Sequence, residues 1–173
     1  MSEHHDFYLP FDNELPLQCS QKSGRLLILD SSFNPPTRAH ASLIETTVSQ
    51  YPPGFFDAIL LLLSTNNVDK SMTGASVNQR IEMMQLMASK DRTMTVGITC
   101  HGKFVDKQKA IHSRYPRLEL YFILGYDTLV RLLDPKYYDL PLKQALEPFL
   151  NNCRLVCADR GQQDPMFWQR VEQ

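Results

Sequence analysis

Between residues 30 and 40 the chain reads Asp30-Ser-Ser-Phe-Asn-Pro-Pro-Thr-Arg-Ala-His40. The Pro35-Pro36 pair fixes the backbone, and threonine, as at position 37, favours helix N-caps. A helix starting there puts His40 in its first turn, on the side of the unpaired backbone N–H groups. A helix N-terminus with an added imidazole donor makes a ready phosphate site. The rival reading is a proline-rich surface turn with a partly buried histidine, and the residues alone leave both open. Lys70 stands among Asn66, Asn67 and Asp69 in a polar stretch, where a solvated lysine is the plainer reading. Asp127 follows Gly125 closely, and an acid there also suits a helix start. Tyr137 and Tyr138 can pack an edge of the core. Arg80, inside a helical pattern, reads as a surface or salt-bridging side chain and is left outside the site.

Apolar patterning supplies the frame for these residues. Leu26–Leu29, Ala58–Leu63, Leu118–Leu124 and Arg154–Ala158 are short apolar runs that predict strands, and Met94–Cys100 alternates as another. Ala41, Ile44 and Val48 predict a helix over Arg38–Gln50, stopped by Pro52-Pro53-Gly54. Val77, Ile81, Met84 and Met87 mark a second helix. A weaker, basic helix covers Phe104–Tyr115, a short one ends near Leu133, and another spans Leu142–Leu150. Apolar runs separated by helices predict a doubly wound α/β domain with about five parallel strands. Ligands of such sheets sit beyond the carboxyl ends of the strands, at the switch point of strand order. That rule points to loops 30–40, 64–74, 125–127 and 159–161. Residues 1–23 lack periodicity and are expected to form a tail, on the domain or loose, with the domain itself spanning 24–173.

The 173 residues suit one domain with a sizeable core. With 18 Lys+Arg against 19 Asp+Glu the formal charge is -1, which argues against nucleic acid as a partner. Ala58–Leu63, the longest apolar run, is far short of the ~20 residues of a spanning helix, so no membrane role is expected. Met1-Ser-Glu-His-His-Asp6 has no secretory pattern. Cys19, Cys100, Cys153 and Cys157 form no CxxC pair; Cys153 and Cys157, four apart in an apolar strand, face one side of a sheet and read as buried thiols, and the cysteines are expected to be reduced. An intracellular protein, cytoplasmic or nuclear, is the expectation. The sequence contains no G-x-G-x-x-G, G-x-x-x-x-G-K-[ST], H-E-x-x-H or G-x-S-x-G.

Ser31-Ser-Phe-Asn-Pro-Pro-Thr-Arg-Ala-His40 resembles the (G/S)-S-F-N-P-x-[HT]-x-x-H signature of the nucleotidylyltransferase superfamily. Thr37, in place of a first histidine, is similar to the eukaryotic nicotinamide mononucleotide adenylyltransferases. Lys70 resembles the family's lysine after strand two, and Arg80 the arginine of its next helix. Gly125-Tyr-Asp-Thr-Leu129, with Pro135 and Tyr137-Tyr138 beyond it, looks like the family's Gly-x-Asp-x-Leu segment and its downstream Leu-Trp pair. Leu155-Val-Cys-Ala-Asp-Arg160-Gly161 is similar to the close of its fifth strand. The match is collinear over residues 25–161.

The resemblance implies a Rossmann-like fold and adenylyl transfer from ATP to nicotinamide or nicotinate mononucleotide, giving NAD or its acid form and pyrophosphate. It implies His40 and Lys70 as catalytic groups acting on the phosphates. Ser31, Ser32, Phe33, Asn34 and Thr37 would hold the phosphates and the mononucleotide. Asp127, beside Gly125, would accept from the adenosine, Tyr138 would wall the pyridine ring, and Arg160 would bring positive charge to a phosphate. Magnesium would enter with ATP, and no protein ligand for it is assigned.

Three departures qualify the match. Ser31 replaces the family's glycine and brings a Cβ to where backbone approaches phosphate. No aromatic residue stands around Gly97 to Gly102, where the family stacks one on nicotinamide. The family's Ile-Ser-Ser-Thr-x-x-Arg motif does not occur before Gln173, so a truncated or divergent member is expected. The main alternative is a nucleotide-binding protein with weak ATPase activity and an interaction role. Phosphopantetheine as acceptor is another within the superfamily. Oligomeric state is left open.

Overall fold

The computed structural model describes residues 6–12, 14–16, 23–66 and 74–158. Lys70, Arg160 and Cys19 lie outside the described residues. The strands are β1 (Phe7–Tyr8), β2 (Gly24–Asp30), β3 (Ala58–Ser64), β4 (Met94–Thr99), β5 (Leu118–Gly125) and β6 (Cys153–Ala158). The helices are α1 (Arg38–Ser49), α2 (Val77–Ala88), α3 (Phe104–Arg114), α4 (Tyr126–Leu132) and α5 (Leu142–Asn152). One sheet runs in the order β1-β4-β3-β2-β5-β6. β2 to β6 pair in parallel, and β1 lies antiparallel on the edge strand β4.

The period of two in a strand sends alternate side chains to opposite faces. Leu26, Ile28, Leu60, Leu62, Leu120 and Phe122 point to one face, where Ile111 of α3, Leu129 of α4 and Phe149 of α5 cover them. Leu27, Leu29, Leu61, Leu63, Val96 and Ile123 point to the other, under Ile44 of α1 and Met84 of α2. Both faces are covered, which is why these strands are apolar throughout instead of alternating. Each fully buried leucine contributes about 1.5–3 kcal/mol of transfer free energy, so the central strands carry most of the stabilisation.

The stretch expected to be a tail does more than lie on the domain. Phe7, Leu9 and Leu15 are buried in the same cluster as β2 and β5. Phe7 pairs with Thr99, and the Thr99 hydroxyl donates to the Asp6 carbonyl at 2.6 Å. Gly97 makes this docking possible. A Cβ there would come within 2.8 Å of the Phe7 ring, so the glycine marks a close approach.

The cysteines divide by burial. Cys153 is buried beside Cys157 in one cluster, as strand spacing requires. Its thiol donates to the Phe149 carbonyl at 3.2 Å, and burial pushes its pKa up to about 12. Cys100 is exposed, just past the end of β4 at Thr99. Among the described residues no helix is long and apolar enough to cross a membrane.

The chain leaves β2, builds outward through β3 and β4, then returns to the other side of β2 at β5. The switch point therefore lies between β2 and β5, whose Leu29 and Ile123 are in register. Asp30 and Gly125 end these two strands side by side.

Candidate functional site

Asp30 closes β2 and is tied down from below. Its carboxylate meets the Lys107 ammonium at 2.5 Å, with side-chain exposures of 7% and 2%. Lys107 reaches it from the first turns of α3, its ammonium also lying 4.8 Å from the Phe104 ring centroid. Burial raises the Asp30 pKa, and the lysine charge opposes that rise.

Residues 31–37 then cross the top of the sheet. The Ser31 N–H donates to the Leu62 carbonyl at 3.3 Å. Phe33 has a φ of 44°, a left-handed conformation unusual for an aromatic residue. Its ring is fully buried and lies 4.9 Å from the His40 ring, which helps offset the local strain. The Asn34 side-chain oxygen accepts from Ala75 N–H at 2.9 Å, fastening this loop to the one after β3. Gly74, at φ 94°, leaves room for that amide.

Arg80 makes the second fastening. It is 1% exposed, donates from Nε to the Ala75 carbonyl at 2.8 Å and from Nη1 to the Ser32 carbonyl at 3.2 Å. Its Nη2 has no hydrogen-bond partner among the described residues. The surface reading of Arg80 is thus corrected. It shares a stripe with Met84 and Ala88 at helical spacing, and that stripe faces inward.

His40 occupies the third position of α1 and closes a capping box with Thr37. The Thr37 N–H donates to His40 Nδ1 at 2.9 Å, so Nδ1 carries no proton. The proton of the neutral ring is therefore on Nε2, which donates to Ser31 Oγ at 3.0 Å. Burial lowers the His40 pKa, favouring the neutral ring. The result is a neutral imidazole with a directed N–H at the start of a helix, at the switch point. ¹⁵N spectra should show the Nε2–H tautomer at neutral pH, with a titration midpoint below the ordinary histidine value of about 6.5. A dominant Nδ1–H signal would overturn this arrangement.

Across the switch point, Gly125 precedes α4 with an ordinary extended backbone. A Cβ built on it would meet nothing within 4 Å. Neither conformation nor internal packing demands glycine there, whereas a ligand lying over the strand ends would. Gly125→Ala should leave the melting temperature within about 2 °C, as for an ordinary surface change, while weakening several-fold the ATP binding that the sequence resemblance implies. Unchanged ATP affinity by calorimetry would remove this argument.

Asp127 lies exposed in the first turn of α4. Ser32 and Thr37 are exposed, and Ser31 and Asn34 half-buried, on the same end of the sheet. Tyr138 is held by packing. Its hydroxyl donates to the Leu132 carbonyl at 2.6 Å, and its ring rests on the core cluster beneath α4. A cleft of about 680 Å³ borders Asn34, Gly74 and Gln79 but includes neither His40 nor Gly125.

The chain matches the cytidylyltransferase-like family model over residues 28–172. It is 38% identical over 138 residues to a Schizosaccharomyces pombe protein provisionally named a nicotinamide mononucleotide adenylyltransferase; that match covers 78% of this chain and 53% of the relative. A Listeria monocytogenes protein, provisionally a nicotinate-nucleotide adenylyltransferase, is 29% identical over 119 residues, covering 65% of this chain and 61% of its own length. The chain thus spans only about half to three-fifths of these relatives. Among solved structures, Plasmodium falciparum nicotinic acid mononucleotide adenylyltransferase complexed with NaAD shares the fold at a TM-score of 0.58 and 16% identity, over 85% of this chain and 71% of that one. The same enzyme complexed with APC aligns at 0.57, with 16% identity, over 85% and 70% of the two chains.

Proposed function

The chain belongs to the cytidylyltransferase-like family, and from that membership we propose that it carries a site for adenylyl transfer from ATP to nicotinamide or nicotinate mononucleotide. The observation that carries the reading is the His40 Nε2–H, fixed by Thr37 at the N-terminus of α1 and beside the open space over Gly125. The names of the relatives, and the NaAD bound by the Plasmodium enzyme, support the same substrate class.

In this reaction a 5′-phosphate oxygen of the mononucleotide attacks the α-phosphorus of ATP. The bond from that phosphorus to the bridging oxygen breaks, and pyrophosphate leaves. No covalent enzyme intermediate is needed. The protein's work is to align the phosphates and stabilise charge on their oxygens. His40 donates Nε2–H to a phosphate oxygen, exchanging its bond to Ser31 Oγ for one to the ligand. The N–H groups of Ser32 and Phe33 and the start of α1 add further donors. Asn34 and Arg80 hold that loop in shape. Asp127 accepts from the adenosine, and Tyr138 stiffens the segment after α4. Lys70 and Arg160 bring positive charge to the phosphates. Magnesium arrives as part of the ATP substrate.

The test is product analysis of the purified chain with ATP and each mononucleotide. Dinucleotide formed with stoichiometric pyrophosphate supports the proposal. Orthophosphate released equally with and without mononucleotide would replace it with the ATPase reading.

A further inference from the structure

At the edge of the sheet, the end of β4 brings Cys100 and His101, adjacent in sequence, together with Asp6 of the N-terminal segment. Asp6 precedes β1, while Cys100 and His101 follow β4. One ligating atom from each lies within 4.8 Å of the other two. His101 Nε2 and Asp6 Oδ1 are already 3.4 Å apart. Two ligands bound at about 2.1 Å around a tetrahedral ion stand about 3.4 Å apart, so this pair has the spacing of a shared metal. We infer that Asp6, Cys100 and His101 form a binding site for a zinc-like divalent cation.

The backbone beneath the three side chains is fixed independently of any ion. The Thr99 hydroxyl donates to the Asp6 carbonyl at 2.6 Å and accepts from the His101 N–H at 3.2 Å. The His101 carbonyl in turn accepts from Ser64 Oγ at 2.6 Å, anchoring the turn to the end of β3. One buried threonine therefore holds both segments that carry ligands. Such anchoring reduces the ordering cost of binding to a few side-chain rotations.

The donor set selects the ion. A thiolate, an imidazole and a single carboxylate favour zinc or cobalt, whereas magnesium and calcium prefer all-oxygen shells. Cys100 and Asp6 are exposed and His101 half-buried, so an ion can enter from solvent. Binding displaces the thiol proton to solvent and forms the metal–sulfur bond. Three protein ligands leave a fourth position for water or an external group, an open arrangement. The ion would clamp the antiparallel edge strand β1 onto β4.

The experiment uses the whole chain after chelator treatment. Titration with cobalt(II) should saturate at one equivalent, with a thiolate-to-cobalt charge-transfer band that zinc abolishes. Cys100→Ser should lose that band, and His101→Ala should weaken binding by at least about 10–100-fold, the loss produced even by outer-sphere changes. In the unmutated chain, peptide mapping should show Cys100 alkylation slowed by one equivalent of zinc, with no such slowing by magnesium. Absence of the charge-transfer band, or Cys100 labelling indifferent to zinc, would overturn the proposal. Dinucleotide formation is not read in any of these measurements, so the site stands or falls apart from the proposed activity.

Discussion

His40→Ala should lower turnover of the proposed adenylyl transfer by about 10²–10³, the usual effect of removing one aimed donor from a transition-state oxyanion. The mononucleotide dissociation constant should change little, because in the proposed reaction the Nε2–H acts on charge that grows only as pyrophosphate leaves. The substitution also removes the acceptor of the Thr37 N–H, so a cap loss of roughly 1 kcal/mol is expected in stability. His40→Glu separates the two effects. Glutamate is a normal capping-box partner at this position, so its carboxylate can take over from Nδ1 and restore the melting temperature. An ionised carboxylate only accepts hydrogen bonds, so it places no donor where Nε2–H stood and turnover stays low. A His40→Glu protein with near-parental turnover would remove the imidazole from the mechanism.

The pH dependence follows from the same geometry. Burial holds the His40 pKa below its ordinary value, so the neutral, donating ring persists as pH falls into the mildly acidic range. The stability linked to His40 is fully present above the unfolded-state pKa and is lost as pH falls through the folded-state pKa. Parental turnover should therefore hold to lower pH than a histidine of ordinary pKa would allow. The variant with alanine should show no histidine-linked stability change there.

The five parallel strands and the five α-helices given above were legible because each carries its own apolar pattern, close to the bounds the structure shows among the described residues. β1 was not. Two residues are too few to alternate, and Phe7 is ordered by a partner almost a hundred residues away. The available signal was Gly97, a glycine inside a strand, which tells of something close above it. The phosphate-loop reading of residues 30–40 was half legible. Thr37 and His40 announce a helix start, but the ring tautomer depends on two hydrogen bonds that only the folded loop defines. Arg80 was misjudged for a simpler reason: its charge outweighed its place on the stripe of Met84 and Ala88, although that spacing was visible. Lys107, in a basic helical stretch, was likewise given no role, since nothing in its own neighbourhood reveals Asp30, 77 positions earlier.

That pair gives the largest stability effect expected here. Asp30→Ala strands the Lys107 ammonium with 2% exposure and no counter-charge; breaking a buried ion pair in this way costs about 3–5 kcal/mol. Lys107→Met should cost less, because the remaining carboxyl has another way out. Burial already raises the Asp30 pKa, and Lys107 supplies the opposing effects, so its removal lets the carboxyl rise further and become neutral. A group whose folded-state pKa lies above its unfolded value contributes stability that is present below the unfolded pKa and lost as pH rises through the folded pKa. Lys107→Met should accordingly gain stability relative to the parent as pH is lowered, whereas Asp30→Ala should not. The double variant Asp30→Leu with Lys107→Met leaves no buried charge and should recover most of the loss. Its turnover should nevertheless stay below the parent's, because Asp30 directly precedes Ser31 and the pair fixes where loop 30–40 leaves the sheet. Chemical denaturation of the four proteins across acid to neutral pH reads the stability terms separately from activity. Equal destabilisation by the two single changes at every pH would show that Asp30 remains ionised without its lysine, and would overturn the account of the pair.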